Sequence, residues 1–416
     1  MTDNDVIIVG GGIAGLYAAM QIVTRDPTAK ILILESCPRL GGRSGNDTFR
    51  GMTVMTGAGV GRFEKDLLLR ALLKQVDVSF VLMEKVKHNY ASTVDKVDLM
   101  GIIKKLRMIP TRVRSIFKTF AKKHLGSKQY DAFVETTGYT DFEKEDAHDV
   151  LYNYGMEDNT DGWTPMRIIW VDLIKSMKEW LLKHKHVRIK TNSHVNQLRI
   201  HENPNEVTVC TTTQDYKART VIVATTIDSV ISLLPDKMIY RKIKGQPFMR
   251  LYAEVAKCSR EAMRIAVPRL TIVPKPLQEI IPFDHDKGIY MIGYADNESA
   301  LILEKYKDDK EALAELVREG LGLPKDSVKI LNVQSHFWRI GTHYYDTLPA
   351  KYDDRNKFLF EAQRPHPNIF VVGEVVAINQ GWVEGALQSV RAIMNIPGPL
   401  NNGTPLAYTL STAHGT

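Results

Sequence analysis

The first 35 residues restrict the fold more than any other stretch of the chain. An apolar run at 6–9 is followed by Gly10, Gly12 and Gly15 in G-x-G-x-x-G spacing. A segment of helical periodicity (16–23) and a second apolar run (31–34) then lead to Glu35. Four consecutive aliphatic residues suit a strand buried on both faces. Gly10 permits a tight turn, Gly12 lets the backbone approach a pyrophosphate, and Gly15 lets the helix pack on the strand. The helix start, at Ile13 and Ala14, directs unpaired N–H groups at phosphate. Glu35, 20 positions after Gly15, is placed to accept hydrogen bonds from ribose hydroxyls, with Ser36 beside it. A glycine-rich turn without a ligand would not require that acid. The unit reads as a βαβ dinucleotide site.

Two further segments extend this reading. Arg39-Leu40-Gly41-Gly42-Arg43 follows the second strand directly, and Gly57-Ala58-Gly59 comes soon after. Adjacent glycines allow close backbone approach, and Arg43 can pair with a pyrophosphate. Near the other end, an apolar run at 369–372 precedes Gly373-Glu374. Gly381-Trp382-Val383-Glu384-Gly385-Ala386 then opens a helix. A second helix N-terminus supplies amides and a positive dipole end, which stabilise negative charge.

The R-x-G-G-R string, the flavin-side glycines and the closing W-V-E-G-A string resemble the flavin amine oxidases, a family that includes monoamine, polyamine and L-amino acid oxidases. The resemblance covers the chain from end to end and implies FAD. In its terms Gly10, Gly12, Ile13, Ala14, Gly15, Glu35, Ser36, Gly41, Gly42, Arg43, Gly57, Ala58 and Gly59 hold the nucleotide half. Gly373, Glu374, Trp382 and Val383 meet the flavin end, and Val195 holds the adenine through its backbone. The segment at 137–155 is similar to strings in amine-oxidase-like proteins of large DNA viruses.

The implied fold is α/β. A Rossmann-like FAD-binding domain is assembled from 1–65, 186–240 and 366–416, and an α+β substrate domain from two insertions, 66–185 and 241–365. The first insertion has helical patterns at 65–75, 99–123 and 165–184. The second has strands at 251–256, 288–293 and 328–337 and a helix at 310–320. Short strands at 187–190, 194–200, 206–213 and 220–224 return the chain to the FAD domain.

The implied activity is removal of hydride from the carbon bearing an amine nitrogen, with O2 as final acceptor. Aligned through Gly341, the segment at 337–349 places Tyr344 on one aromatic wall, with Trp382 on the other; an aromatic face favours the entering amine. Monoamine oxidases carry a flavin-linked cysteine before that tyrosine. Here the residue is His343, so FAD is expected to be held non-covalently. Where many family members carry a lysine that holds a water at the flavin, this chain has Arg250, which keeps the charge but cannot be deprotonated. Arg250 is therefore the third candidate catalytic residue, for a water, a substrate carboxylate or a neighbouring acid, with a surface strand position as the alternative. Arg62 reads as a surface or pyrophosphate-side arginine, or as the receiver of a substrate carboxylate. The motifs also leave open an L-amino acid oxidase, a desaturase- or isomerase-like flavoenzyme, and a non-catalytic flavoprotein that binds a partner.

Composition limits the remaining classes. Three scattered cysteines exclude a disulfide framework and a zinc spacing, so no metal is expected and a reducing, cytoplasmic setting fits. No apolar run reaches the roughly 20 residues of a membrane span, and the tail after Pro399 is polar and short. The net charge of +7 is concentrated at 104–128, around Lys104, Lys105, Arg107, Arg112, Lys122 and Lys123. That stretch reads as a solvated helix face, with phosphate or nucleic acid as the less favoured partner. Asp141, Glu143, Glu145 and Asp146 read as an exposed acidic loop, with polyamine attraction as the alternative.

Overall fold

The computed structural model describes residues 3–110, 114–201, 206–352 and 354–395. Arg112 and the tail after Pro399 lie outside the described residues.

Strand Asn4–Val9 pairs in parallel with Ile31–Leu34, Val6 opposite Ile31 and Val9 opposite Leu34. Side chains alternate across a strand, so the two aliphatic runs supply two cores at once. Val6, Ile8, Ile31 and Ile33 pack with helices Ile13–Arg25 and Val383–Met394. Ile7, Val9, Leu32 and Leu34 enter a separate core on the opposite face, with Val221 and Val371. That is why these strands read as continuous apolar runs. Strand Asp215–Val223 lies parallel on the other side of Asn4–Val9, and Val187–Lys190 lies beyond Ile31–Leu34. Ile369–Val371 pairs with the end of Asp215–Val223, and antiparallel Val195–Ile200 and Val207–Thr211 complete seven strands.

A second sheet of six strands is led by Ile330–Tyr345, Ile243–Val255 and Ile289–Asp296. Helices Asn297–Tyr306 and Lys310–Leu321 cover it through Ala300, Leu303, Leu313 and Val317. A helical cluster between the two sheet-forming regions of sequence is built on Phe117, Phe133 and Phe142.

Three local expectations change. The helical pattern at 99–123 forms two helices, Leu99–Arg107 and Phe117–Leu125, separated around Pro110, which lacks the N–H a continuous helix needs. Residues Pro165–Arg167 are a strand, and the helix expected there begins at Trp170. The acidic segment is not an exposed loop: Glu145, Asp146 and Asp149 are all buried. Asp146 caps helix Ala147–Tyr152 by accepting from His148 N at 2.9 Å, and Asp149 faces Arg355 at 3.4 Å. Asp141 accepts from the Tyr154 hydroxyl at 2.6 Å. Composition cannot distinguish acids that cap and pair from acids that are solvated. Several basic residues at 104–128 are paired with acids: Arg107 with Glu157, Lys118 with Glu143 and Lys122 with Asp131.

Candidate active site

A cavity lies at the carboxyl ends of four parallel strands. Val9 and Gly10 end the first and Leu34 and Glu35 the second; Ala224 follows the third, and Gly373 and Glu374 follow the fourth. This is where open α/β sheets bind ligands. The second sheet supplies another wall with Phe248, Arg250, Tyr294, Trp338, Ile340 and Thr342. The cavity volume is ≈ 360 Å³, inside the range of about 300–1,000 Å³ typical of ligand pockets.

The glycines divide into two kinds. A Cβ on Gly10 would meet Ala224 O at 2.4 Å, and one on Gly15 would meet Gly10 O at 2.0 Å. Those two serve packing of chain on chain. A Cβ on Gly12 would meet nothing within 4 Å, and one on Gly42 would have only Gly12 Cα at 3.7 Å. Gly12 and Gly42 both line the cavity, and the open space over them is what a pyrophosphate requires. Gly15 does not line it; its close contact with Gly10 O fits the packing of helix on strand.

Two helix N-termini end at this cavity. Helix Ile13–Arg25 starts after Gly12 and helix Val383–Met394 after Trp382, neither with a side-chain cap. Ile13, Ala14, Val383 and Ala386 line the cavity. Uncapped N–H groups and two positive dipole ends suit a ligand with negative charge at two places. Glu35 is fixed from both sides, accepting from Gly11 N at 2.7 Å and Cys37 N at 2.8 Å. Ser36, Gly41 and Val195 also line the cavity, with Ser193 and His194 beside Val195.

Glu374 organises the end of the cavity beside helix Val383–Met394. Its carboxylate accepts from Arg43 Nη1 at 3.0 Å, His343 N at 2.8 Å and Gly381 N at 2.8 Å, and from His343 Nδ1. Burial pushes its pKa up, but the His343 ring, the Arg43 guanidinium and these hydrogen bonds outweigh that and hold it at about 2. Nε2 of His343 accepts from Ile227 N at 3.2 Å, which leaves the ring proton on Nδ1, facing Glu374. His343 is thus a buried tie between two loops, its ring outside the cavity lining.

The segment Gly57-Ala58-Gly59 is held against the cavity from three directions. Ala58 N donates to Arg43 O at 2.9 Å, Arg250 Nε to Gly57 O at 2.8 Å, and Trp170 Nε1 to Gly59 O at 2.8 Å. Arg250 is only 2% exposed and lines the cavity, so the surface-strand alternative is excluded.

Trp382 lines the cavity, packed edge-on against Trp170 at 6.1 Å. Tyr344 does not line it. It pairs with Lys244 further along the strand, and its assignment to an aromatic wall is corrected. Opposite Gln246 and Phe248 the strand Ile330–Tyr345 carries a bulge between Trp338 and Thr342, which shifts the register. Trp338, Phe248 and Tyr294 line the cavity instead, and spacing alone did not reveal them. The residue pattern held one usable signal: Phe248 and Arg250 are two apart on a strand and therefore share a face. Arg62 is neither a cavity nor a free surface residue. It is paired with Asp66 at 2.8 Å and Asp158 at 2.5 Å.

Residues 8–76 match the model of an NAD(P)-binding Rossmann-like domain, and residues 166–392 match that of the flavin containing amine oxidoreductases. No curated protein matches the sequence. Among solved structures, a double mutant of putrescine oxidase superposes with a TM-score of 0.72 at 14% identity, covering 94% of this chain and 98% of that one. Putrescine oxidase bound to putrescine gives 0.70 at 13%, and a putative protoporphyrinogen oxidase from Exiguobacterium sp. 255-15 gives 0.68 at 14%, both with 94% and 98% coverage. At such identities these likenesses show a shared fold. The family match spans more than half the chain and includes the second helix N-terminus and the sheet that walls the cavity, so the chain belongs to the flavin containing amine oxidoreductases and is an FAD-dependent oxidoreductase of that family.

Proposed function

We propose that this protein holds FAD non-covalently and oxidises a primary or secondary amine, with O2 reoxidising the flavin. The observation that carries this reading is the meeting of two uncapped helix N-termini with an aromatic wall in one cavity. The flavin supplies a two-electron acceptor when bound. Gly12, Gly42 and Arg43 would hold the pyrophosphate, Glu35 the ribose, and the amides at Val383 the electron-rich edge of the ring. Trp382, Phe248, Tyr294 and Trp338 exclude water and favour the neutral amine, whose nitrogen lone pair assists loss of the adjacent hydride. The α C–H bond breaks with its electron pair leaving as hydride, an N–H proton departs, and an imine results. Water then converts the imine to a carbonyl compound and ammonia or a smaller amine, while O2 takes up two electrons and two protons as H2O2.

The side chains available support non-covalent binding. Among the described residues no cysteine lines the cavity, and both ring nitrogens of His343 are engaged. Acid precipitation should release all the yellow colour into the supernatant as FAD; fluorescence that stays with the denatured chain would contradict this. Three unpaired cysteines suit a reducing compartment such as the cytoplasm. No helix among the described residues is long and apolar enough to cross a membrane. The activity is tested by incubating the purified holoprotein with monoamines, polyamines and amino acids. Peroxide and a carbonyl product formed in equal amounts support the reading; no peroxide from any of them counts against it.

A further inference from the structure

Arg250 is a cation enclosed in the cavity wall without an ionic partner. It stands mid-strand in Ile243–Val255, between Tyr294 and His336 on the neighbouring strands. Its Nε is committed to Gly57 O, and its Nη1 lies 3.6 Å from the sulfur of Met291. The Tyr294 and Phe248 ring centroids lie 4.3 and 5.4 Å from its Cζ. A Cβ at position 59 would meet Nη2 at 3.0 Å, so Gly59 leaves the room this group occupies.

Three other arginines, by contrast, have carboxylate partners. Arg62 has Asp66 and Asp158, Arg43 has Glu374, and Arg355 has Asp149. Arg250 makes no ion pair with any carboxylate among the described residues. Glu279 acts on it only through space. Burial raises the pKa of Glu279 to about 8, against the opposing pull of Tyr139 and Arg250, so at neutral pH it is mostly protonated and supplies little negative charge. A guanidinium removed from water without a counter-charge is unfavourable. This one is retained on a ligand cavity, beside the flavin-side glycines.

We propose that Arg250 anchors the carboxylate of the substrate, so that the amine oxidised here is itself an acid: an amino acid rather than a simple monoamine or a diamine. This rests on the amine-oxidase reading above. A planar guanidinium whose Nε is committed still presents its Nη edge, and that edge matches a carboxylate with two hydrogen bonds. The flanking rings keep water away and strengthen the pair. The same charge disfavours a substrate that brings a second ammonium into the cavity.

The holoprotein tests this directly with benzoate and its uncharged counterpart benzamide. Benzoate should perturb the visible flavin band saturably, benzamide at least 10-fold more weakly. Arg250→Met should abolish the benzoate effect, and Arg250→Lys should retain part of it. Amino acid oxidation by Arg250→Met should show KM raised at least 100-fold, with a smaller change in kcat. Equal titration by benzoate and benzamide in the unmutated protein overturns the proposal, whatever the variants do. So does an Arg250→Met protein that shifts the flavin potential but binds benzoate unchanged, because Arg250 then addresses the cofactor alone. Simple amines reducing the flavin faster than any amino acid would overturn the proposal while leaving the amine-oxidase reading intact. Arg250-dependent benzoate binding with no reduction by any amine or amino acid would sink that reading and leave the anion site standing.

Discussion

The indole Nε1 of Trp382 donates to the Asp66 carboxylate at 2.7 Å, joining residues 316 positions apart. Asp66 is fully buried and also accepts from Arg62 N at 2.7 Å and Arg62 Nη2 at 2.8 Å. The cavity tryptophan is therefore oriented by the first turn of the first insertion. Nearby, Glu384 accepts from Leu68 N and Leu69 N and so caps helix Leu67–Gln75. The closing motif and the start of the helical insertion hold one another in place.

Removing the Asp66 carboxylate leaves a buried indole N–H and part of Arg62 unpaired. Loss of one partner of a buried pair costs about 3–5 kcal/mol. Asp66→Ala should lower the midpoint of thermal unfolding accordingly. In a double-mutant cycle with Trp382→Phe, the two costs should fail to add by about 0.5–3 kcal/mol. Strictly additive costs would show that the bond between the two side chains contributes nothing.

The two kinds of glycine give opposite phenotypes. Gly12→Ala meets open space at an ordinary φ of −73°, so the fold should lose no more than about 0.5–1 kcal/mol, the N-cap difference between Gly and Ala, while FAD affinity falls. Gly15→Ala drives a Cβ into Gly10 O and should destabilise the fold itself by about 1–3 kcal/mol. Calorimetry of the apoprotein beside FAD titration separates them; equal stability of both apoproteins would contradict the division.

Glu145 links stability to pH. Burial, with Asp149 nearby, raises its pKa to about 8 against the pull of Arg355. The folded state therefore binds a proton that the unfolded state has already lost above its ordinary value of 4.5. Stability from this group falls as pH rises from about 5 to 8, on the order of a few kcal/mol. Glu145→Gln should match the unmutated protein near pH 5 and melt higher than it at pH 8. A gap that is the same at both pH values would contradict the assignment.

The strand–glycine–helix unit and the two helix starts were legible because each is local: a run, a spacing and a cap position close together in sequence. Gly12 and Gly15 share one motif, and its spacing already assigns one to close approach and the other to packing. The aromatic wall was not legible. It depends on the register of Ile330–Tyr345 against Ile243–Val255, and the bulge between Trp338 and Thr342 moves that register. Gly341 belongs to this bulge, since a Cβ there would stand 2.1 Å from Phe248 Cβ. Arg250 was visible as a departure from the family's lysine, but its enclosure and its lack of an ionic partner are properties of the folded sheet. Glu145 and Asp146 are buried rather than on an exposed loop; capping and ion pairing are invisible to composition.

The account's central claim is that electrons pass from an amine to FAD held in this cavity. The most direct measurement is the visible spectrum of the holoprotein during anaerobic titration with amines and amino acids. The account predicts that the oxidised flavin band bleaches with an amine substrate, that replacing the hydrogen on the nitrogen-bearing carbon with deuterium slows the bleaching, and that colour and peroxide appear together when air is admitted. A flavin that stays fully oxidised with every amine and amino acid, while a chemical reductant bleaches it at once, would contradict the claim.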